Sequence, residues 1–327
     1  GFAAHAENEI RELADLMQIP VITTMMGISV FPDDDQLFCG MIGTHGVKMA
    51  NAAVNECDVL FLVGARVGDR AVKTPLALEK TTKIIHIDID PAEIGKNIGA
   101  DLPLVGDAKL VLQQMTELAK PMKHDEWIAH IKTLGGERKY VEPAKGTVNP
   151  RVFIDKLAKK MPANVTVVAD VGQNQIWTCT EYKFRKEGRL LTSGGMGTMG
   201  YSVPAAIGAK MADDSRATVA ICGDGAFQMS FMELATAVQF GVDIKVVVMT
   251  NNRLGMVREL QTNGYHDRQT AVFLDGSPDF IKLAEAYGIP AMRVYDDDTM
   301  EKGVEMLAEH KGICLVEVVV DKDMPTL

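Results

Sequence analysis

The stretch "ATVAICGDGAFQMSFMELATAVQFGVDIKVVVMTNN", residues 217–252, decides how the second half of the chain folds. Its opening residues are apolar or β-branched and run into Gly-Asp-Gly, and its closing run, "IKVVVMT", ends on two asparagines. Between them, "FQMSFMELATAVQFG" has the length and apolar spacing of one helix. Strand, helix and strand in that order make a right-handed crossover, so the two strands are parallel and the chain returns to the same edge of one sheet. Asp224 and Asn251 then fall at the carboxyl ends of neighbouring strands, where open α/β sheets bind their ligands.

The chemistry of this pair suits a hard cation. Magnesium takes six oxygen ligands, commonly one or two from protein carboxylates and the rest from phosphate and water. Asp224 offers a carboxylate and Asn251 an amide oxygen. Gly223 and Gly225 permit a sharp turn and close backbone approach, and N–H groups near Ala226 and Phe227 are placed to donate to anionic oxygens. The pattern reads as a magnesium ion gripping a diphosphate. Taken singly, "GDG" is equally a turn and "NN" equally a loop; the specificity lies in the helix-then-strand spacing of residues 226–250.

The same alternation extends in both directions. Upstream of the quoted stretch come helix "RVFIDKLAKKM", strand "VTVVADVG", helix "QNQIWTCTEY", strand "RLLTS" and helix "SVPAAIGAKMA"; downstream come helix "PDFIKLAEAYG" and strand "ICLVEVVV". The first third of the chain repeats the scheme with helix "NEIRELADLM", strand "IPVITTM", helix "VKMANAAVNEC", strands "DVLFLVGAR" and "KIIHIDID", and helix "DAKLVLQQMTELAK". The expected fold is α/β, with two doubly wound, mostly parallel-sheet domains at residues 1–120 and 149–327. Residues 121–148, polar and carrying Pro and Gly, read as the linker, with "WIAHIKTL" able to form a short helix.

Composition narrows the function. A chain of 327 residues with 47% hydrophobic content can bury two cores. Net charge is −10, aromatics are 6% and no block of Lys and Arg occurs, which argues against nucleic acid as a partner. The longest apolar runs fall short of a bilayer span, so no membrane association is expected. Cysteines 39, 57, 179, 222 and 314 lack CxxC spacing, which suits reduced thiols in a cytoplasmic compartment rather than a disulfide framework or a zinc site. The chain starts on "GFAAHAENEI" without an initiator Met, and its first element is a helix with no strand before it; this reads as the start of a fragment.

With these motifs in view, the sequence resembles the acetohydroxyacid synthase (acetolactate synthase) family of thiamine-diphosphate-dependent enzymes. The resemblance rests on "GDG" and "NN" at this spacing, with "DVGQNQIW" (170–177), "SGGMGTMGYSVPAAIGA" (193–209), "ELATAVQFG" (233–241) and "LGMVREL" (254–260), and runs from about residue 6 to the end. It implies magnesium ligands at Asp224, Asn251 and the backbone carbonyl of Arg253, and diphosphate contacts at Gln173 and Asn174, the second commonly a histidine in the family. Gly225 and Ala226 would also meet the cofactor. Met199 matches the apolar residue that props thiamine in a bent conformation, and Gly197 and Met256 match contacts to its rings.

The first domain carries further family signatures in "TTMMG" (23–27), "GTHG" (43–46), "GARVGDR" (64–70), "HIDIDPAEIGKN" (86–97) and "VGDA" (105–108), which resemble an FAD-holding middle domain. The implied FAD contacts are Thr24, Met25, His45, Gly64, Ala65, Arg66, Arg70, Asp88 and Asp107, with Gly68 where the family commonly has aspartate. The family also implies an activating glutamate on a separate pyrimidine-binding domain, reached across a homodimer interface, so no catalytic residue is assigned within this chain and the isolated chain is expected not to turn over. Substrates would be 2-keto acids, and a regulatory small subunit is a possible partner. Leu260 stands where the family often has tryptophan, which leaves the choice between pyruvate and 2-ketobutyrate as acceptor open. Two other readings stay in play: another thiamine-diphosphate carboligase or acetyltransferase, such as sulfoacetaldehyde acetyltransferase, and a non-catalytic dimerisation module.

Overall fold

Each run read above as a strand forms one, and every ladder between strands is parallel. The computed structural model describes residues 4–136 and 140–327; residues 1–3 of the expected first domain and 137–139 of the expected linker lie outside the described residues. The chain divides into two compact units, Gly1–Arg138 and Lys139–Leu327.

The first unit contains α1 (Glu7–Met17), β1 (Val21–Thr23), β2 (Phe38–Met41), α2 (Lys48–Glu56), β3 (Val59–Val63), α3 (Pro75–Leu78), β4 (Lys83–Asp88), β5 (Leu102–Val105), α4 (Ala108–Leu118) and α5 (Asp125–Leu134). Its strands do not join into one sheet: β1 pairs with β2, and β3, β4 and β5 form a separate ladder. β2 and β5 escape sequence reading because they are short and carry Gly40 and Pro103, residues that weaken strand signals. Helix α1 packs against α4, with Leu13 and Leu112 meeting Ile87 of β4 in one core cluster. Helix α5 lies inside the expected linker but packs on α2: Trp127 and Ile131, one helical turn apart, join Cys39 and Ala53 in a second cluster.

The second unit contains α6 (Pro150–Lys160), β6 (Thr166–Ala169), α7 (Gln173–Glu181), β7 (Arg189–Thr192), α8 (Ser202–Ala212), β8 (Thr218–Gly223), α9 (Asp224–Phe227), α10 (Leu234–Gln239), β9 (Lys245–Thr250), α11 (Gly255–Gly264), α12 (Phe280–Ala286), β10 (Ala291–Val294), α13 (Asp297–Glu309) and β11 (Cys314–Val319). One six-stranded sheet runs β10-β11-β9-β8-β6-β7. The central strands β6 and β9 are buried along their whole length, as the unbroken Val-rich runs require. The helix expected over 227–241 is broken into α9, a 3-10 turn at Phe231–Glu233 and α10. At the break, the Cβ of Met229 lies 3.0 Å from where a Cβ on Gly200 would stand, so the glycine-rich segment 193–200 packs against the interruption. Among the described residues no helix is long and apolar enough to cross a membrane.

Helix α13 is capped by a reciprocal box between Asp296 and Thr299 and lies on β10 and β11 at Gly303. A Cβ at position 303 would stand 2.6 Å from Val294 Cγ2 and 3.3 Å from Val316 Cγ1. Alanine gains about 1 kcal/mol of helix propensity over glycine, whereas overpacking a close-packed core costs about 1–3 kcal/mol. Gly303→Ala is therefore expected to lower the stability of this unit by about 1 kcal/mol, read as a drop in urea midpoint; a rise in midpoint would show that the helix can move away from the sheet.

Candidate functional site

The chain leaves β6 toward β7 on one side and later enters β8 on the other, so the sheet has its topological switch point between β6 and β8. At such a point two successive loops diverge and leave a crevice beyond the strand ends. The last paired residues there are Ala169 and Ile221, and Gly223 of β8 is level with Met249 of β9. Asp170, Asp224 and Asn251 thus emerge at one rim.

Asp224 is buried, at 2% exposure. Its Oδ1 accepts from the N–H of Gly225 at 2.8 Å, and its Oδ2 accepts from the N–H groups of Asn251 at 3.1 Å and Asn252 at 2.6 Å. Burial pushes its carboxyl up to about 6, and the backbone N–H groups pull the other way without cancelling the effect. A buried carboxylate satisfied only by neutral N–H groups retains free lone pairs and lacks a counter-charge, which is the environment a cation completes. Asn251 donates from Nδ2 to Gln173 Oε1 at 3.2 Å and accepts at Oδ1 from the N–H of Arg253 at 3.0 Å. The loop after it is fixed by Leu274 N–H donating to the carbonyl of Asn252 and Leu254 N–H donating to that of Val272, both at 2.9 Å. Arg253 itself points to Asp275, 2.7 Å away, and stacks over Phe273. Among the described residues no group of three His, Cys, Asp or Glu is placed to hold a metal, so any ion here depends on one carboxylate with amide and carbonyl oxygens.

Other expected site residues gather round this rim. Gln173 is buried at the start of α7; besides receiving the Asn251 bond, its Nε2 donates to the carbonyl of Met324 at 2.9 Å and to Glu259 and Thr326, each at 3.2 Å. Met199 packs on the core, its Cε 3.4 Å from where a Cβ on Gly225 would stand; that same point is 2.9 Å from Leu254 Cδ2 and 3.1 Å from Leu274 Cδ1. Glycine at 225 lets the turn lie directly beneath this apolar wall without displacing the Leu254 side chain. Ala226 is buried behind the turn, Met256 is half-buried in the first turn of α11, and Gly197 is exposed with φ at 66°.

Asn174 differs from expectation. Its Nδ2 donates to the carbonyls of Asp170 at 2.8 Å and Ile221 at 3.2 Å, so the side-chain N–H group assigned to a phosphate is spent on the ends of β6 and β8. Sequence reading also passed over Asp170, which is fully buried and accepts from the N–H groups of Val171 at 2.9 Å, Gly200 at 3.0 Å and Ser202 at 2.8 Å. The available signal was an acid directly after the Val-rich strand β6 and before a glycine at φ 145°.

In the first unit the residues expected around FAD all lie at or just past carboxyl strand ends: Thr24 and Met25 after β1, His45 after β2, Gly64, Ala65, Arg66 and Arg70 after β3, Asp88 at the end of β4 and Asp107 after β5. Several already have local tasks. Asp107 caps α4 by accepting from Leu110 N–H, Asp88 accepts from Asp90 N–H, and the carbonyls of Arg66 and Arg70 accept from Asn97 and Thr44.

Two parallel α/β units, the second with an acidic turn and an asparagine loop at its switch point, define a class of cofactor-diphosphate proteins. Residues 1–115 match the model of the thiamine pyrophosphate enzyme central domain, and residues 170–318 match that of the C-terminal TPP binding domain. The chain belongs to the thiamine pyrophosphate enzyme family. It is similar to the probable acetolactate synthase large subunit of Methanocaldococcus jannaschii, at 40% identity over 97% of this chain and 55% of that protein. It is similar also to the acetolactate synthase large subunit of Lactococcus lactis, at 36% over 95% of this chain and 54% of that protein. The acetolactate synthase of Mycobacterium bovis matches at 39% over 97% of this chain and 53% of that protein. The chain thus spans about half the length of these relatives.

Removing the Asp170 carboxylate leaves three backbone N–H groups without their acceptor in a buried place. Asp170→Ala is expected to cost about 3 kcal/mol or more and to speed amide exchange at Gly200 and Ser202 selectively. Unchanged exchange at those two amides would show that the carboxylate does not hold the loop.

Proposed function

We propose that this chain supplies the diphosphate- and metal-holding part of an acetolactate synthase, which joins a two-carbon unit from pyruvate to a second 2-keto acid. The observation that carries this reading is the convergence of the buried Asp224 carboxylate and the Asn251 loop at the switch point of a parallel sheet. The names of the relatives, all acetolactate synthases, support the choice of reaction.

In this reading Asp224, the Asn251 amide oxygen and the Arg253 carbonyl hold Mg2+. Gln173 and the backbone at Gly225 and Ala226 meet the diphosphate, while Met199, with Gly197 and Met256, shapes the space for the rings. Thiamine diphosphate, when bound, supplies the electron sink for decarboxylation and carbon–carbon bond formation. The residues of this chain bind and orient: Leu254, Leu274 and Met199 pack over the Gly225 turn, and their apolar side chains would lower the local dielectric and strengthen a metal–phosphate contact there. The activating glutamate would come from outside the matched stretch, across a homodimer, in a cytoplasmic enzyme that also accepts a regulatory small subunit. FAD would lie along the strand ends of the first unit, where the exposed Arg66 and Arg70 offer charge to its phosphates.

Thiamine diphosphate should raise the melting temperature of the 327-residue chain only when Mg2+ is present, by the amount expected of a ligand that binds the folded state alone. Asp224→Ala should remove that rise; a shift that persists in EDTA would overturn the metal reading. The reaction is tested separately. Given pyruvate alone, the enzyme assembled with the half that its relatives carry should release acetolactate, and its absence would reject this reaction while leaving the metal site to the thermal test.

A further inference from the structure

The carboxamide of Gln173 meets acceptors at one end and a donor at the other. Its Nε2 donates to the Met324 carbonyl at 2.9 Å, to Glu259 Oε2 at 3.2 Å and to Thr326 Oγ1 at 3.2 Å, while its Oε1 accepts from Asn251 Nδ2 at 3.2 Å. Thr326 turns its own hydroxyl hydrogen to Glu259 Oε2, so its oxygen presents only lone pairs to Gln173. Turning the carboxamide over would set its oxygen against a carbonyl, a carboxylate and a hydroxyl oxygen, and its NH2 group against that of Asn251. The surroundings admit one orientation.

Asn251 is set in turn. Its Nδ2 bonds the Gln173 oxygen and its Oδ1 takes the N–H of Arg253 at 3.0 Å, so both contacts select the same one of its two amide orientations. Oδ1 keeps a second lone pair for a cation. With the amide turned over, the group offered would be an NH2, which cannot ligate a metal ion. The bond between the two amides also needs room: a Cβ at Gly255, the first residue of α11, would fall on Gln173 Oε1 and stand 3.0 Å from Asn251 Nδ2.

Glu259, one turn further along α11, gathers this arrangement. Its Oε2 alone accepts from Gln173 Nε2, from the N–H of Thr326 at 3.1 Å and from the Thr326 hydroxyl. Holding Thr326 also holds Met324 two residues earlier, whose carbonyl receives Arg258 Nη2 at 3.3 Å besides Gln173. We propose that Glu259 is a positioning residue for the metal site: through Gln173 it fixes the Asn251 carboxamide so that an oxygen, and not an NH2 group, is offered to Mg2+. Glu259 acts through two carboxamides and is not itself a ligand. Groups one shell out that orient a metal ligand commonly govern affinity for the ion. The inference deepens the metal reading of Asp224 and Asn251 and rests on it.

The measurement is the Mg2+ concentration that gives half of the thermal shift produced by thiamine diphosphate in the 327-residue chain. Glu259→Met should raise it about tenfold or more, the usual effect of removing an outer partner of a metal ligand. Glu259→Gln, whose single amide oxygen can take the place of Oε2, should return it to within about twofold of the unmutated chain. In a Gln173→Met background, where the relay is already cut, Glu259→Met should add a change of about twofold at most. Thr326→Val carries the same test should Glu259→Met fail to fold. An unchanged Mg2+ requirement, an equal rise with and without Gln173, or a Glu259→Gln chain as impaired as Glu259→Met would overturn the relay and leave the metal reading standing. A shift that needs no Mg2+ in the unmutated chain would instead sink the metal reading and the relay with it.

Discussion

The second unit is organised round a carboxylate that belongs to one strand and is held by the backbone of the next. Asp224 follows β8, and the N–H groups that satisfy its Oδ2 are those of Asn251 and Asn252 as the chain leaves β9. A buried carboxylate without donors is too costly to keep charged, so the loop after β9 must stay where its N–H groups point at the acid. That requirement places the Asn251 side chain, directs the following backbone toward residues 272–274, and brings Leu254 over Gly225. The loop geometry follows from one desolvated acid.

A parallel arrangement holds the other side of the crevice. Asp170 fastens the segment at Gly200 and Ser202 to the end of β6, and Met199 directly before it thereby reaches the Gly225 turn. Asn174 ties the carbonyls of Asp170 and Ile221 together across the switch point, with two N–H bonds from a single nitrogen. A carboxamide nitrogen carries two hydrogens and an imidazole nitrogen at most one, so asparagine is suited to this bridging and the histidine common in the family is not. Position 174 therefore serves the frame of the crevice, as does Gln173, whose Nε2 donates to Met324, Glu259 and Thr326.

Most of the strands and their parallel sense were legible because β-branched runs separated by helical periods admit few parallel topologies. Asp224 and Asn251 were legible for the same reason: their positions at strand ends follow from spacing alone. What stayed hidden had physical causes. β2 and β5 are four residues each and interrupted by Gly40 and Pro103, so neither has a local signal; β2 forms against the three-residue β1 and β5 against the longer β4. The 227–241 helix breaks where Gly200, far off in sequence, packs against Met229. Helix α5 looked like linker since Trp127 and Ile131 are its main apolar commitments, and their value depends on Cys39 and Ala53 being in place. Asp170 and Asn174 are polar residues whose targets are backbone groups of distant segments, which no residue pattern names.

The two units make opposite use of one rule about parallel sheets. In the second, the apolar strands β6, β8 and β9 each have a neighbour on both sides, and edge duty falls to β7 and β10, which carry Arg189 and Arg293. Charged residues on an edge discourage further pairing. In the first, β5, an outer strand of the ladder, is short and contains a proline, as a protected edge should, while β3 at the opposite end is wholly apolar. Two helix pairs of the first unit, α1 with α4 and α2 with α5, bury the apolar faces that its short ladders leave open.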